Sequence, residues 1–187
     1  CSEIAGRIGF PLVVKPANSG SNAGTSIAND MEELITAVKI AFSNDNKVVI
    51  EKYIKARKLE AAVFGYDTPF SSYIGEIVSD DGSYDPANFS VSSGDSLIIP
   101  ADITEEQQKS IRETAVKAFK AAGCKGLARL DFFLSEDGTL LLNKIGTMPG
   151  LRQSSVFTRL MEHLGMTLSD IIDSLLEQAI ENADRLY

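Results

Sequence analysis

The stretch that most constrains this chain runs over residues 126–150, GLARLDFFLSEDGTLLLNKIGTMPG. Residues 126–134 and 139–145 are apolar runs of strand length, and the Ser-Glu-Asp-Gly between them reads as a hairpin turn. Side chains alternate along a strand. Arg129, Asp131 and Phe133 therefore share one face, and Ala128, Leu130, Phe132 and Leu134 share the other. Any fold built on this hairpin must bury the apolar side and find a use for two opposite charges on the other. On a lone hairpin an ion pair is the simplest use, and a bound ligand is the alternative.

The segments on either side form an ordered series. Residues 1–8 read as the end of a helix stopped by Gly9, with Pro11 just beyond, and suggest that the chain is a piece of a longer protein. Residues 11–15 (PLVVK) read as a short buried strand ending in Lys15. The loop 16–24 (PANSGSNAG) follows, then a short strand near 25–27. Such a loop can turn backbone N–H groups toward an anion, or it can be a plain surface turn. It has neither the Gly-Lys-Ser/Thr of a P-loop nor a dinucleotide fingerprint.

Asp30 followed by Glu33 marks a helix start, with Leu34, Ala37, Val38 and Ala41 at helical spacing. Residues 47–52 form the next strand, and 59–66 with 70–78 read as a hairpin around Asp67-Thr68-Pro69. Residues 79–96 are Gly/Ser-rich and polar, with four aspartates and no Lys or Arg. A loop of that length is a linker or a functional lid. Thr104 and Gln107 open a helix that runs to Ala122 and stops at Gly123. After the central hairpin come a helix near 156–164 and a last one from Thr167. The last helix carries an apolar face of Leu168, Ile171, Ile172, Leu175, Leu176, Ala179 and Ile180. Strands joined by hairpins and mixed with packing helices give an α+β fold class.

Composition removes several function classes. A net charge of −8 with no basic stripe argues against nucleic acid as a partner. No run of 18 apolar residues occurs, so no membrane span is expected. Two cysteines, Cys1 and Cys124, are too few for a disulfide framework and suit a reducing cytoplasm. There is no Cys/His cluster for zinc, and the single His163 reads as a partly exposed structural residue.

Taken together, certain residues resemble a known family. They are Lys15 with the small loop holding Ser21 and Gly24, then Val-Val-Ile-Glu51-Lys52, then Glu60. Gly-Cys-Lys-Gly-Leu-Ala-Arg129-Leu-Asp131 and Asn-Lys-Ile-Gly-Thr-Met-Pro-Gly150 complete the set. In order and spacing, across essentially the whole chain, they are similar to the ATP-binding and catalytic region of D-alanine–D-alanine ligases, in the ATP-grasp superfamily. The resemblance implies two lobes with nucleotide between them: residues 1–53 as part of the smaller lobe and 54–187 as the larger catalytic lobe. It also implies a further N-terminal region that contributes an ATP-contacting lysine and part of the first D-alanine site.

The implied reaction phosphorylates one D-alanine carboxylate with ATP. The amine of a second D-alanine then attacks the acyl phosphate through a tetrahedral intermediate, making a dipeptide for peptidoglycan. The resemblance assigns Lys15 to the ATP phosphates and the loop with Ser21 to the cover folded over them. Glu51, Lys52 and the Ile54 backbone would lie at the adenine edge, Glu60 on the ribose hydroxyls and Phe133 against the adenine. Arg129 would stabilise charge on the tetrahedral intermediate. Asp131 would ligate Mg2+, and Gly150 and Ser155 would bind the second D-alanine. The implied partners are small molecules, ATP and D-alanine or a related D-acid (D-lactate or D-serine), with no nucleic acid or membrane; a homo-oligomer is compatible.

Three departures converge on the phosphates. The family's metal segment reads Asn-Glu-x-Asn-Thr-x-Pro-Gly, whereas this chain has Lys144 at the Glu position and Gly146 at the second Asn. The loop 84–89 lacks the family's lysine. Leu151-Arg152 replaces an apolar-then-Thr pair. Two readings follow: a D-alanine–D-alanine-type ligase impaired at its metal site, or a non-catalytic module that binds a nucleotide or a partner. An ATP-grasp ligase acting on another carboxylate is a third.

Overall fold

The computed structural model describes residues 1–18, 23–78 and 96–183. The chain divides into two compact units, Cys1–Ala56 and Arg57–Val78 with Ser96–Tyr187.

In the first unit, helix α1 (Ser2–Ile8) precedes strands β1 (Leu12–Pro16) and β2 (Ser26–Ala28), helix α2 (Met31–Phe42) and strand β3 (Val48–Lys52). The strands form an antiparallel sheet in the order β2-β1-β3. Leu12 and Val14 alternate onto the face that receives Leu34, Ala37 and Ala41 of α2, and Ala5 and Ala28 complete that core. Asp30 caps α2 by accepting from the Glu33 backbone N–H at 2.9 Å. Glu33 reaches one residue further back than a capping box would: its carboxylate accepts from the Asn29 backbone N–H at 2.7 Å.

The second unit is a sheet covered by helices on both faces. Strands β4 (Ala56–Gly65), β5 (Phe70–Ser71), β6 (Gly75–Val78), β7 (Ser96–Ile98), β8 (Gly126–Ser135) and β9 (Leu140–Gly146) are joined by helices α3 (Glu105–Ala121), α4 (Val156–Glu162) and α5 (Leu168–Glu181). The order is β7-β6-β4-β8-β9, with β5 also paired to β4. Residues 70–78, expected as one strand, form two. Val63 pairs with Ser71, whereas Glu60 pairs with Gly75, a register one residue different. The extra residue is absorbed between β5 and β6, where the Ser72 backbone N–H donates to Ala62 O and the Ser72 hydroxyl accepts from the Ala62 N–H.

The central strand explains why the core has two halves. Leu59, Ala61 and Val63 pack with Ala128, Leu130, Phe132 and Leu134 against Ile111, Ala115 and Phe119 of α3. Ala62 and Phe64 face the other way, onto Val156, Phe157, Leu160 and Met161 of α4 and Ile171 of α5. Helix α3 has the expected Thr104–Gln107 capping box. Helix α5 is less buried than its apolar stripe implies. Only Ile171 among its residues is buried, while Ile172, Leu176 and Ile180 are 42%, 58% and 76% exposed. The helix therefore touches the sheet along one edge of a stripe wider than the contact. Among the described residues, no helix is long and apolar enough to cross a membrane.

Candidate functional site

Strand β4 is buried without interruption from Leu59 to Gly65, and Glu60 is the one charged residue in that run. It stands on the same sheet face as Arg129 and Asp131 of the neighbouring strand β8. All three are carried by two neighbouring, largely buried strands, so the charges are held by the core rather than by a loop.

Arg129 grips Asp131 with two parallel bonds. Its Nε–H donates to Oδ1 at 2.8 Å and an Nη2–H donates to Oδ2 at 2.9 Å. The same Nε lies 3.2 Å from Glu60 Oε2. Its single proton points to Asp131, however, so Glu60 Oε2 has charge contact but no hydrogen-bond partner. Glu60 is only 6% exposed. Burial, reinforced by the nearby Asp131 charge, pushes its carboxyl up to about 8; Arg129, Lys144 and Lys58 pull the other way without winning. Burial alone would lower Arg129, yet Glu60 and Asp131 outweigh it and hold the guanidinium firmly charged.

Strand β9 supplies the fourth member. In the register, Arg129 is opposite Gly146 and Asp131 is opposite Lys144, after which Phe132 pairs with Leu142. Asn143 is thus the extra residue of a β-bulge, and the bulge sits beside the charged cluster. Lys144 Nζ is 3.4 Å from Asp131 Oδ2, and its side chain is 41% exposed against 11% for Asp131. Glu60, Arg129, Asp131 and Lys144 thus form one network of ion pairs, with Lys144–Asp131 as its contact between β9 and β8.

This donor set does not suit a hard divalent cation. Magnesium requires several oxygen ligands in near-octahedral array. Both Asp131 oxygens already accept from Arg129, Lys144 brings an ammonium in place of a donor, and Gly146 has no side chain to offer. Among the described residues there is no group of three or more His, Cys, Asp or Glu side chains able to hold a metal. Space is not the obstacle at Gly146: a Cβ there would meet its nearest neighbour, Arg129 O, at an ordinary 3.7 Å.

The remaining expected site residues fall in both units. In the first, Lys15 pairs with Glu51 at 2.5 Å. Val13 is the residue opposite Glu51, so the pair is diagonal across β1 and β3. Lys52 points the other way, donating to Gly9 O at 3.1 Å and Phe10 O at 2.9 Å. Its side chain thereby ties β3 to the turn after α1. Ile54 is half-buried just beyond β3. Ser21 lies outside the described residues, as do residues 79–95. Gly24, at the end of that first loop, has φ +81° and packs tightly on Asn44 and Pro16.

In the second unit, Phe133 is half-buried two residues beyond Asp131. Gly150 and Ser155 are close neighbours: a Cβ on Gly150 would stand 2.9 Å from Ser155 Oγ. That hydroxyl accepts from the Arg152 backbone N–H at 3.1 Å and makes no capping bond to α4. A further ion pair, between exposed Arg57 and buried Glu76, was not anticipated. Arg57 Nε and Nη2 each donate to Glu76 at 2.6 Å, and Nη2 also donates to Asp102 O. The signal was the alternation of Arg57 and Leu59 on a strand facing Glu76, readable only once the β4–β6 pairing is known.

The D-ala D-ala ligase C-terminus family model matches residues 1–177. Among curated proteins, the D-alanine--D-alanine ligase of Shouchella clausii is 43% identical over 185 residues, covering 98% of this chain and 50% of that protein. The ligase of the same name from Geobacillus thermodenitrificans is also 43% identical, over 96% of this chain and 49% of its own length. Among solved structures, the VanG D-Ala:D-Ser ligase from Enterococcus faecalis superposes with a TM-score of 0.83 at 31% identity, over 94% of this chain and 51% of the other. The D-alanine-D-alanine ligase from Coxiella burnetii gives 0.84 at 30% identity, over 99% and 49%. The chain spans about half the length of these relatives. By sequence and by fold, it belongs to the D-alanine–D-alanine ligase family and represents the C-terminal, ATP-grasp part of that architecture.

Proposed function

We propose that this chain is the nucleotide-binding and catalytic half of a ligase that joins two D-amino acids, or a D-amino acid and a related D-acid, with ATP. Its turnover would be strongly reduced at the metal position. The observation behind this reading is the network on β4, β8 and β9: Glu60, Arg129 and Asp131 occupy one buried face in the family's order, but Lys144 faces Asp131 where a metal donor is expected.

In the family-derived roles, Arg129 supplies a fixed, planar positive charge for the tetrahedral intermediate. Glu60 offers a carboxyl to the ribose hydroxyls, and its unpartnered Oε2 supports a polar ligand there. Lys15 attracts the ATP phosphates, with Glu51 holding its ammonium in place. Gly150 and Ser155 hold the second substrate, a D-alanine, D-serine or D-lactate. Bound magnesium would bridge and neutralise the phosphates, but these residues do not form a place for it. A cytoplasmic setting and a role in peptidoglycan precursor synthesis follow from the same reading.

The second reading, a non-catalytic nucleotide-binding module, is favoured by the same Lys144 and Gly146. Phosphate release from ATP plus D-alanine separates the two, using the chain joined to the N-terminal half that its relatives possess. Slow or absent release is expected. Release at the rate of an ordinary family member would refute the impairment.

A further inference from the structure

The cation beside Asp131 has a consequence beyond lost turnover. A metal-binding carboxylate that simply lost its partners would be left as a buried negative charge facing incoming phosphates. Here that charge is answered from two sides. Arg129 takes both Asp131 oxygens at 2.8 and 2.9 Å, and Lys144 Nζ stands 3.4 Å from Oδ2 on the more exposed side. Arg129 is 23% exposed at its side chain and Lys144 is 41% exposed. The guanidinium therefore forms the inner part of the cluster, and the ammonium forms its solvent-side rim. The bulge at Asn143 places Lys144 opposite Asp131 while the outer part of the hairpin keeps its pairing of Phe132 with Leu142. Opposite Arg129, Gly146 leaves the adjoining position without a side chain.

An ammonium is a compact point charge with three protons. One can serve Asp131 while another meets a phosphate oxygen, which is how lysine ordinarily binds phosphate. We infer that Lys144 is a tethered stand-in for the divalent cation, so that this chain binds the phosphate end of a nucleoside diphosphate without magnesium. This rests on the nucleotide-binding reading above and adds the cation requirement to it. The competing use of Lys144 is purely structural, tying β9 to β8 through Asp131.

Calorimetric titration of ADP into the 187-residue chain, in excess EDTA and then in excess MgCl2, tests the inference. The expected dissociation constants agree within about twofold, since the described residues offer no group of side chains for the metal to join. Lys144→Met should weaken ADP roughly ten- to a hundredfold, the worth of one charge-assisted hydrogen bond. AMP, with no β-phosphate, should be almost unaffected, and Lys144→Arg should retain most of the ADP affinity. The pair Lys144→Glu with Gly146→Asn should make ADP binding magnesium-dependent. A tenfold or larger gain from magnesium in the unmodified chain overturns the inference while leaving nucleotide binding intact. It is equally overturned if Lys144→Met lowers the thermal midpoint but leaves ADP affinity unchanged, which is the structural outcome. Absence of any ADP or AMP binding, with or without metal, would refute the underlying reading and the inference with it.

Discussion

Glu60→Gln offers the sharpest test of the buried network, because its effect changes with pH in a defined direction. In the folded chain the Glu60 carboxyl sits at about 8, against 4.5 when solvated. Between those values the folded state holds a proton that the unfolded state has released. Unfolding is then favoured progressively as pH rises. This group's contribution is fully present below about 4.5 and is lost as pH climbs through about 8, the opposite of a salt-bridged carboxylate. The interval is 3.5 pH units, 8 minus 4.5. At about 1.4 kcal/mol per unit the upper bound is about 5 kcal/mol. Relaxation of the cluster and the pull of Arg129 bring a realistic value to about 2–4 kcal/mol.

Glutamine reproduces the shape and neutrality of the protonated acid and cannot ionise, so it removes the pH-dependent loss. The chain has no tryptophan, so urea unfolding is best followed by far-ultraviolet circular dichroism. With a slope of about 2 kcal/mol per molar urea, the variant's midpoint should lead the wild type's by about 1–2 M near pH 8. The two should nearly coincide near pH 5. A carbon-13 titration of the Glu60 carboxyl should show the same high midpoint directly. A midpoint difference that stays constant from pH 5 to pH 8, or a carboxyl that titrates near 4.5, would refute the account of Glu60 as an acid held protonated by burial.

Other expectations rest on packing. Gly24→Ala forces a side chain into φ +81° and to within 2.7 Å of Asn44 Nδ2 and 2.9 Å of Pro16 Cγ. It should cost the first unit about 2 kcal/mol or more, read by hydrogen exchange in β1 and α2. Gly75→Ala pushes a methyl to 2.9 Å from Leu160 and 3.0 Å from Leu97 in a closed core. A loss of about 1–3 kcal/mol in urea unfolding is expected. Ile180→Ser removes a side chain that is 76% exposed, so its stability should stay within about 0.5 kcal/mol of the unmodified chain, and a larger loss would mean the α5 stripe has a partner in solution.

The parts of the fold that were legible beforehand are those set by local chemistry. Asp30 and Thr104 announce helix starts because their side chains satisfy backbone N–H groups a turn away, and no other part of the chain is needed to see it. The hairpin 126–145 is legible for the same reason, since a turn and two alternating strands lie within one short stretch. What was not legible depends on pairings between distant segments. The split of 70–78 into β5 and β6 arises from a one-residue shift against β4, and alternation within 70–78 cannot show it. The shallow burial of α5 depends on how much sheet remains for it once α4 has packed on Ala62 and Phe64. The link between Glu60 and Arg129 spans about seventy residues of sequence and exists only because β4 and β8 are neighbours.

That last link changes how Arg129 and Asp131 should be understood. As a pair they would form a closed, neutral fork of the kind that often ties a sheet together at little net gain. The fork itself is closed, since Arg129 holds both Asp131 oxygens. Glu60, buried and favouring its protonated form, adds no full negative charge beside it at neutral pH. Lys144 adds one positive charge at the rim. With Glu60 protonated, the four groups sum to about one positive charge on a rigid sheet, in a chain whose net charge is −8. A structural tie would have no use for that surplus, and a divalent cation would be repelled by it. An anionic ligand would be drawn to it. In the function proposed here, that one surplus charge on Lys144 is what would favour a phosphate over a divalent cation at this hairpin.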